Sequence, residues 1–141
     1  MTIKKKRGNN LVNYVWDTGA LTQFFAGQVE TKKLMKHTLS GESISFIPQL
    51  VFSEFYYKTW QNYGEQAALV RTKSLRESKV NEYILSEKDT YVVGKMKIDF
   101  PFLSIIDAIV ATTAKVTTST VITTDSDFTK VKPIKVKKII F

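Results

Sequence analysis

The run Ser119-Thr120-Val121-Ile122-Thr123-Thr124 constrains this chain more than any other segment. Every residue after the serine is β-branched, so each is stiff about χ1 and fits a pleated strand. The run does not alternate between apolar and polar residues on the scale of a half-solvated strand. It therefore reads as a strand covered on both faces, the kind found in parallel sheets. Asp125-Ser126-Asp127 follows at its carboxyl end.

The rest of the chain supplies the partners of such a strand. Leu11 to Trp16 is rich in β-formers and ends at Asp17, and Thr18 is placed to cap a helix from Ala20 to about Ala26. Thr31 to Leu39 suits a helix stopped by Ser40-Gly41, and Ser43 to Ile47 a short apolar strand. Pro48 opens another helix at its first turn, whose buried stripe and Glu54 share one side with Leu50, Val51, Phe55 and Lys58. A basic helix from about Gly64 to Ser78 holds Arg71, Lys73 and Arg76, with Lys79 just beyond it. Val80 to Leu85 reads as a third strand. Ser86-Glu87-Lys88-Asp89 is a capping-box start for a helix to about Ile98. Phe100-Pro101-Phe102 breaks that helix, and Ser104 starts the next, which runs to about Lys115. Ile134 to Phe141, preceded by Pro133, suits a final edge strand.

Strands alternating with helices predict an α/β fold: a mostly parallel sheet of about five strands, covered on both faces and joined by right-handed crossovers. Residues 1–10 are polar and basic and read as a loose arm, leaving 11–141 as a single domain.

Four acids interrupt apolar segments: Asp17 in Val15-Trp16-Asp17-Thr18, Glu54 in Phe52-Ser53-Glu54-Phe55, Asp107 in Ile105-Ile106-Asp107-Ala108, and Asp125 after Val121-Ile122-Thr123-Thr124. A carboxylate among core residues is costly to desolvate unless a positive partner meets it. With no cysteine and one histidine in the chain, clustered carboxylates favour a hard cation such as magnesium or manganese. Glu82, Glu87 and Asp89 lie in polar segments, and Asp99 beside Phe100 is a weaker fifth member. Ligands of parallel sheets bind beyond the carboxyl ends of the strands, where strand order switches. Asp17 and Asp125 meet there if their strands are neighbours. Taken singly, each acid also suits a local role: Asp17 as a cap, Glu54 as the i,i+4 partner of Lys58, Asp107 in a capping box with Ser104, and Asp125 with Asp127 in an Asx turn.

Lys and Arg number 21 against 13 Asp and Glu, a net charge of +8, which argues for a polyanionic partner, nucleic acid first and an acidic protein second. The lack of cysteine excludes disulfides and thiolate zinc. No export signal and no run of roughly 18 apolar residues is evident, so a cytoplasmic location without membrane contact is expected. His37 sits among Lys32, Lys33 and Lys36 and reads as solvated. Phe52, Phe55, Tyr56, Tyr57 and Trp60 read as core, and the lysines between Lys130 and Lys138 as a solubilised edge strand, with a phosphate-contacting rim as the alternative.

Together, Val15-Trp16-Asp17-Thr18-Gly19-Ala20-Leu21, Ser53-Glu54, Leu103-Ser104-Ile105-Ile106-Asp107-Ala108 and Val121-Ile122-Thr123-Thr124-Asp125-Ser126-Asp127-Phe128 resemble the PIN-domain ribonucleases, especially their VapC toxin-like branch. The resemblance covers Leu11 to Phe141 in the family's order. It implies a three-layer α/β/α sandwich and a metal-dependent (endo)ribonuclease with Asp17, Glu54, Asp107 and Asp125 as its catalytic acids. They would bind one or two Mg2+ or Mn2+ ions, with Asp127 as a further ligand and Thr18 and Thr124 in support. Gly19 departs mildly from the serine of many members. RNA is the implied substrate, with Arg71, Lys73, Arg76 and Lys79 as candidate backbone contacts, and an antitoxin protein and a homodimer are the implied partners. The alternative is a non-catalytic PIN module that binds RNA or protein. A phosphoacceptor receiver domain would want adjacent acids after its first strand, and an Asp-x-Asp phosphotransferase an acid where Gly19 stands.

Overall fold

The computed structural model describes residues 11–141; the basic arm expected over 1–10 lies outside the described residues. Five strands form one sheet: β1 (Val12–Trp16), β2 (Ser43–Pro48), β3 (Asn81–Tyr83), β4 (Thr120–Thr123) and β5 (Lys135–Lys138). Their spatial order is β3-β2-β1-β4-β5, and every pairing is parallel. Six α-helices connect them: α1 (Thr18–Phe25), α2 (Val29–Leu39), α3 (Gln49–Tyr63), α4 (Glu65–Arg76), α5 (Glu87–Asp99) and α6 (Ile105–Thr117). A short 3-10 helix, Ser126–Lys130, follows β4.

The β-branched run forms β4 as expected, with Val121, Ile122 and Thr123 fully buried between β1 and β5. Helix α6 packs on β1, β2 and β4 through a wall of small residues, Ala108, Ala111 and Ala114, which lets it approach the sheet closely. On β1, Trp16 packs edge-on against Phe24 of α1. Its indole N–H donates to Ser45 Oγ at 2.9 Å, and Ser45 shares a 2.6 Å bond with Thr38 of α2. These buried polar groups are thus satisfied rather than merely hidden.

Several boundaries differ from the sequence reading. Helix α1 starts at Thr18, and its cap is Asp17, whose backbone is extended and whose side chain accepts the Ala20 N–H at 2.8 Å. A carboxylate caps at least as well as a hydroxyl, so Asp17 takes the role and leaves Thr18 free. Pro48 ends β2 and stands just before α3 rather than inside its first turn. Of the aromatics on α3, Phe52 and Phe55 are core, but Tyr57 and Trp60 are about half exposed, at 47% and 46%. Leu50 is exposed as well. Asp89, grouped with the polar-segment acids, is buried: its carboxylate accepts from Tyr83 Oη at 2.6 Å and from the Ser86 N–H at 3.0 Å, inside the expected capping box.

Candidate active site

The chain steps from β1 outward to β2 and β3, then returns to the other side of β1 as β4. The switch in strand order therefore lies between β1 and β4, and their carboxyl ends carry Asp17 and Asp125. The Asp17 N–H donates to the Ile122 carbonyl at 3.1 Å, extending the β1–β4 ladder to the first acid itself.

A chain of hydrogen bonds links the two ends. The buried Thr123 hydroxyl donates to Asp17 Oδ2. Thr123 Oγ1 also accepts the Asp125 N–H at 2.9 Å. Asp125 Oδ1 accepts the Asp127 N–H at 2.8 Å, the Asx turn anticipated from the sequence, and Lys130 Nζ reaches Asp127 Oδ1 at 3.2 Å. On the other side, the freed Thr18 hydroxyl donates to Glu54 Oε1, while Lys58 Nζ stands 3.7 Å from Glu54 Oε2. Glu54 is thus tied to α1 as well as to the neighbouring turn of α3. Asp107 lies in the first turn of α6, its N–H capped by Ser104 Oγ at 3.0 Å.

Burial first, and then the charges of Asp107 and Asp125, push the Asp17 carboxyl up from 3.8 to about 6, against the pull of its bonds from Thr123 and Ala20. Asp107 is raised as well, chiefly by burial and then by Asp125, Glu54 and Asp127, with Ser104 opposing. Asp107 therefore sits within electrostatic reach of the other four acids at this end of the sheet. Among the described residues, no three acidic or histidine side chains converge tightly enough to clasp a metal ion as they stand. The donor set nevertheless fits a hard divalent cation: the groups are carboxylate and hydroxyl oxygens, and a positive charge there relieves the repulsion and desolvation that raise Asp17 and Asp107.

The remaining candidates separate. Asp99 pairs with Lys95 at 2.7 Å and lines a hollow with Lys115 and Lys132. Arg71 lies over the rings of Tyr63 and Phe25, at 4.6 and 5.4 Å from their centroids. Arg76 stacks 4.2 Å from the Phe52 ring and grips Glu82 with bonds of 2.9 and 3.2 Å. Arg71 is half-buried, whereas Arg76, Lys73 and Lys79 are exposed. His37 is half-buried on α2. Thr124 makes no side-chain hydrogen bond to an acid among the described residues; its side chain lies over Gly19, where a Cβ would fall against Thr124 Oγ1. The threonine that touches Asp17 is Thr123, which the sequence reading passed over as strand interior. Its position two residues before Asp125, at the last place in the strand, was the available signal.

Residues 14–133 match the PIN domain family model. No curated protein sequence is significantly similar to the chain. Among solved structures, VapBC2 from Rickettsia felis, bound to a DNA fragment from its promoter, superposes with a TM-score of 0.75 at 13% identity, covering 90% of this chain and 98% of that one. A toxin-antitoxin complex from Klebsiella pneumoniae superposes with a TM-score of 0.66 at 19% identity, covering 89% and 99%. VapC20 from Mycobacterium tuberculosis, a sarcin-ricin loop cleaving toxin, gives 0.66 at 14%, covering 83% and 93%. At these identities the structural likeness speaks for the fold. Among the described residues, no helix is long and apolar enough to cross a membrane. With the family model spanning most of the chain and VapC-type structures sharing its fold, the chain belongs to the PIN domain family.

Proposed function

We propose that this chain is a divalent-cation-dependent ribonuclease that hydrolyses RNA phosphodiester bonds, and that it is the toxin of a toxin–antitoxin pair. Asp17, Glu54, Asp107 and Asp125 are its catalytic acids, and Asp127 is a further ligand. One observation carries the reading: the strand-order switch brings Asp17 and Asp125 to adjacent strand ends, where the charge of Asp107 bears on Asp17 and those of Asp125 and Glu54 bear on Asp107. Membership of the PIN family and a VapC20 neighbour described as cleaving the sarcin-ricin loop support it.

Asp17, Glu54, Asp107 and Asp125, with Asp127, would hold Mg2+ or Mn2+, which would supply Lewis-acid chemistry for the hydrolysis. The chain's own part is to hold its acids in place. Thr123 and the Ala20 N–H fix both oxygens of Asp17, Thr18 orients Glu54, and the Asp127 N–H anchors one oxygen of Asp125. The acids themselves repel phosphate, a repulsion that a bound cation would offset. The toxin-antitoxin neighbour supports an antitoxin partner, and the family resemblance a homodimer.

The test is cleavage of an end-labelled structured RNA pool by the wild type and by Asp107→Asn with manganese, magnesium or a chelator. Metal-dependent cutting that disappears in the variant is the expected result. A folded wild type that binds RNA but cuts none with either metal would instead indicate a non-catalytic PIN module.

A further inference from the structure

At the amino ends of β1, β4 and β5, one strand length from the acids, the surface opens into a hollow of about 410 Å3. Leu11, Val12, Pro133 and Ile134 line it together with Lys115 and Lys135. A smaller hollow of about 90 Å3 adjoins it, sharing Lys115, Pro133 and Ile134 and adding Lys132. Lys115, Lys132 and Lys135 are all exposed, and none pairs with a carboxylate among the described residues. Asp99, which lines the smaller hollow, is already paired with Lys95.

We infer that this pole of the sheet is an anchoring surface for the phosphodiester backbone of single-stranded RNA, separate from the acids; the inference rests on the ribonuclease reading for its choice of polyanion. Two physical arguments lead to it. An acidic centre repels the phosphates it must receive, so the affinity of such a protein for RNA has to come from cations placed elsewhere. Unpaired lysines around an apolar floor suit a nucleotide chain, with phosphates on the ammonium groups and base or sugar faces against Pro133 and Ile134. Along β1, from Val12 to Asp17, this pole lies roughly 17 Å from the acids, a distance that RNA covers by running over the edge strand β5 rather than through the core.

The experiment measures binding of fluorescein-labelled polyuridylate by anisotropy across a salt series, in chelator so that nothing is cut. Lys115→Gln/Lys132→Gln/Lys135→Gln is expected to weaken binding about tenfold and to flatten the slope of log K against log salt by about 2. The Lys→Arg triple at the same positions is expected to bind like the wild type, and thermal melts of both triples report folding. Unchanged affinity and slope in the glutamine triple would overturn the inference. So would an equal loss in Lys32→Gln/Lys33→Gln/Lys36→Gln, which lowers net charge equally on α2. Competition by polyglutamate as effective as that by unlabelled RNA would also overturn it, in favour of an acidic protein partner. Because no cleavage is read, a protein that binds through these lysines yet cuts no RNA would sink the ribonuclease reading alone.

Discussion

The Thr123 hydroxyl donates to Asp17 Oδ2 from a fully buried position, while Thr123 Oγ1 itself accepts the Asp125 N–H at 2.9 Å. One side chain thus fixes the acid at the end of β1 and the backbone that carries the acid after β4. Thr123→Val keeps the shape and removes both bonds, leaving a buried carboxylate and an N–H short of partners. The expected cost is about 1–3 kcal/mol, read as a lower midpoint in urea unfolding. Thr123→Ser should recover most of it.

The Asp17 carboxyl, raised to about 6 chiefly by burial, predicts a pH dependence of defined sign. Between its unfolded value near 3.8 and about 6, the folded protein binds more protons than the unfolded one. This group's contribution is therefore absent below pH 3.8 and becomes unfavourable as pH rises, reaching roughly 3 kcal/mol of lost stability above pH 6. Asp107, also raised, acts in the same direction. Unfolding in chelator should show the difference between Asp17→Asn and wild type growing in the variant's favour across this range. A constant difference would count against the buried, charged Asp17.

Divalent cations should act on the same groups with the opposite effect. If Mn2+ binds the folded protein alone, at a hundredfold excess over its Kd it adds about 2.7 kcal/mol, which a thermal melt detects as a clear rise in Tm. The rise should be larger at pH 7.5 than at pH 5, where protons compete for Asp17. Asp107→Asn should reduce it. An unchanged melt at saturating Mn2+ would argue against the metal assignment.

Gly19 and Thr124 form a second coupled pair. A Cβ at position 19 meets Thr124 Oγ1 inside normal contact distance, with Thr124 Cβ and Cγ2 at 3.5 and 3.6 Å. Gly19→Ala alone therefore sets a gain in helix propensity of up to about 1 kcal/mol against a clash. In a Thr124→Ala background the clash is gone, and the same change should stabilise. A double-mutant cycle is expected to give a coupling of about 1 kcal/mol or more.

Arg76 is predicted to matter for stability rather than for RNA. It stacks on Phe52 and holds Glu82, so Arg76→Ala should lower the unfolding midpoint through lost packing. Its RNA affinity should change less than that of the Lys115/Lys132/Lys135 glutamine triple.

The sequence by itself determined the class of fold and the order of its parts. The β-branched Ser119–Thr124 run, the alternating strand and helix segments, the Ser86–Asp89 capping box and the break at Pro101 are local signals, and local physics is enough to read them. It also marked the acids, because a carboxylate inside an apolar segment is anomalous whatever the fold. Strand order, by contrast, is a long-range property: only the return of β4 to the far side of β1 brings Asp17 and Asp125 to neighbouring ends. The choice of Asp17 rather than Thr18 as cap depended on which side chain had a distant use, and Glu54 supplied that use for Thr18. Likewise Thr123 rather than Thr124 serves Asp17, because strand alternation places their side chains on opposite faces and only the tertiary structure says which face Asp17 occupies. Arg71 and Arg76 lie in a polar helix, and the rings they stack on come from α1 and α3. Side-chain partners far apart in sequence leave no local trace, and packing alone decides them.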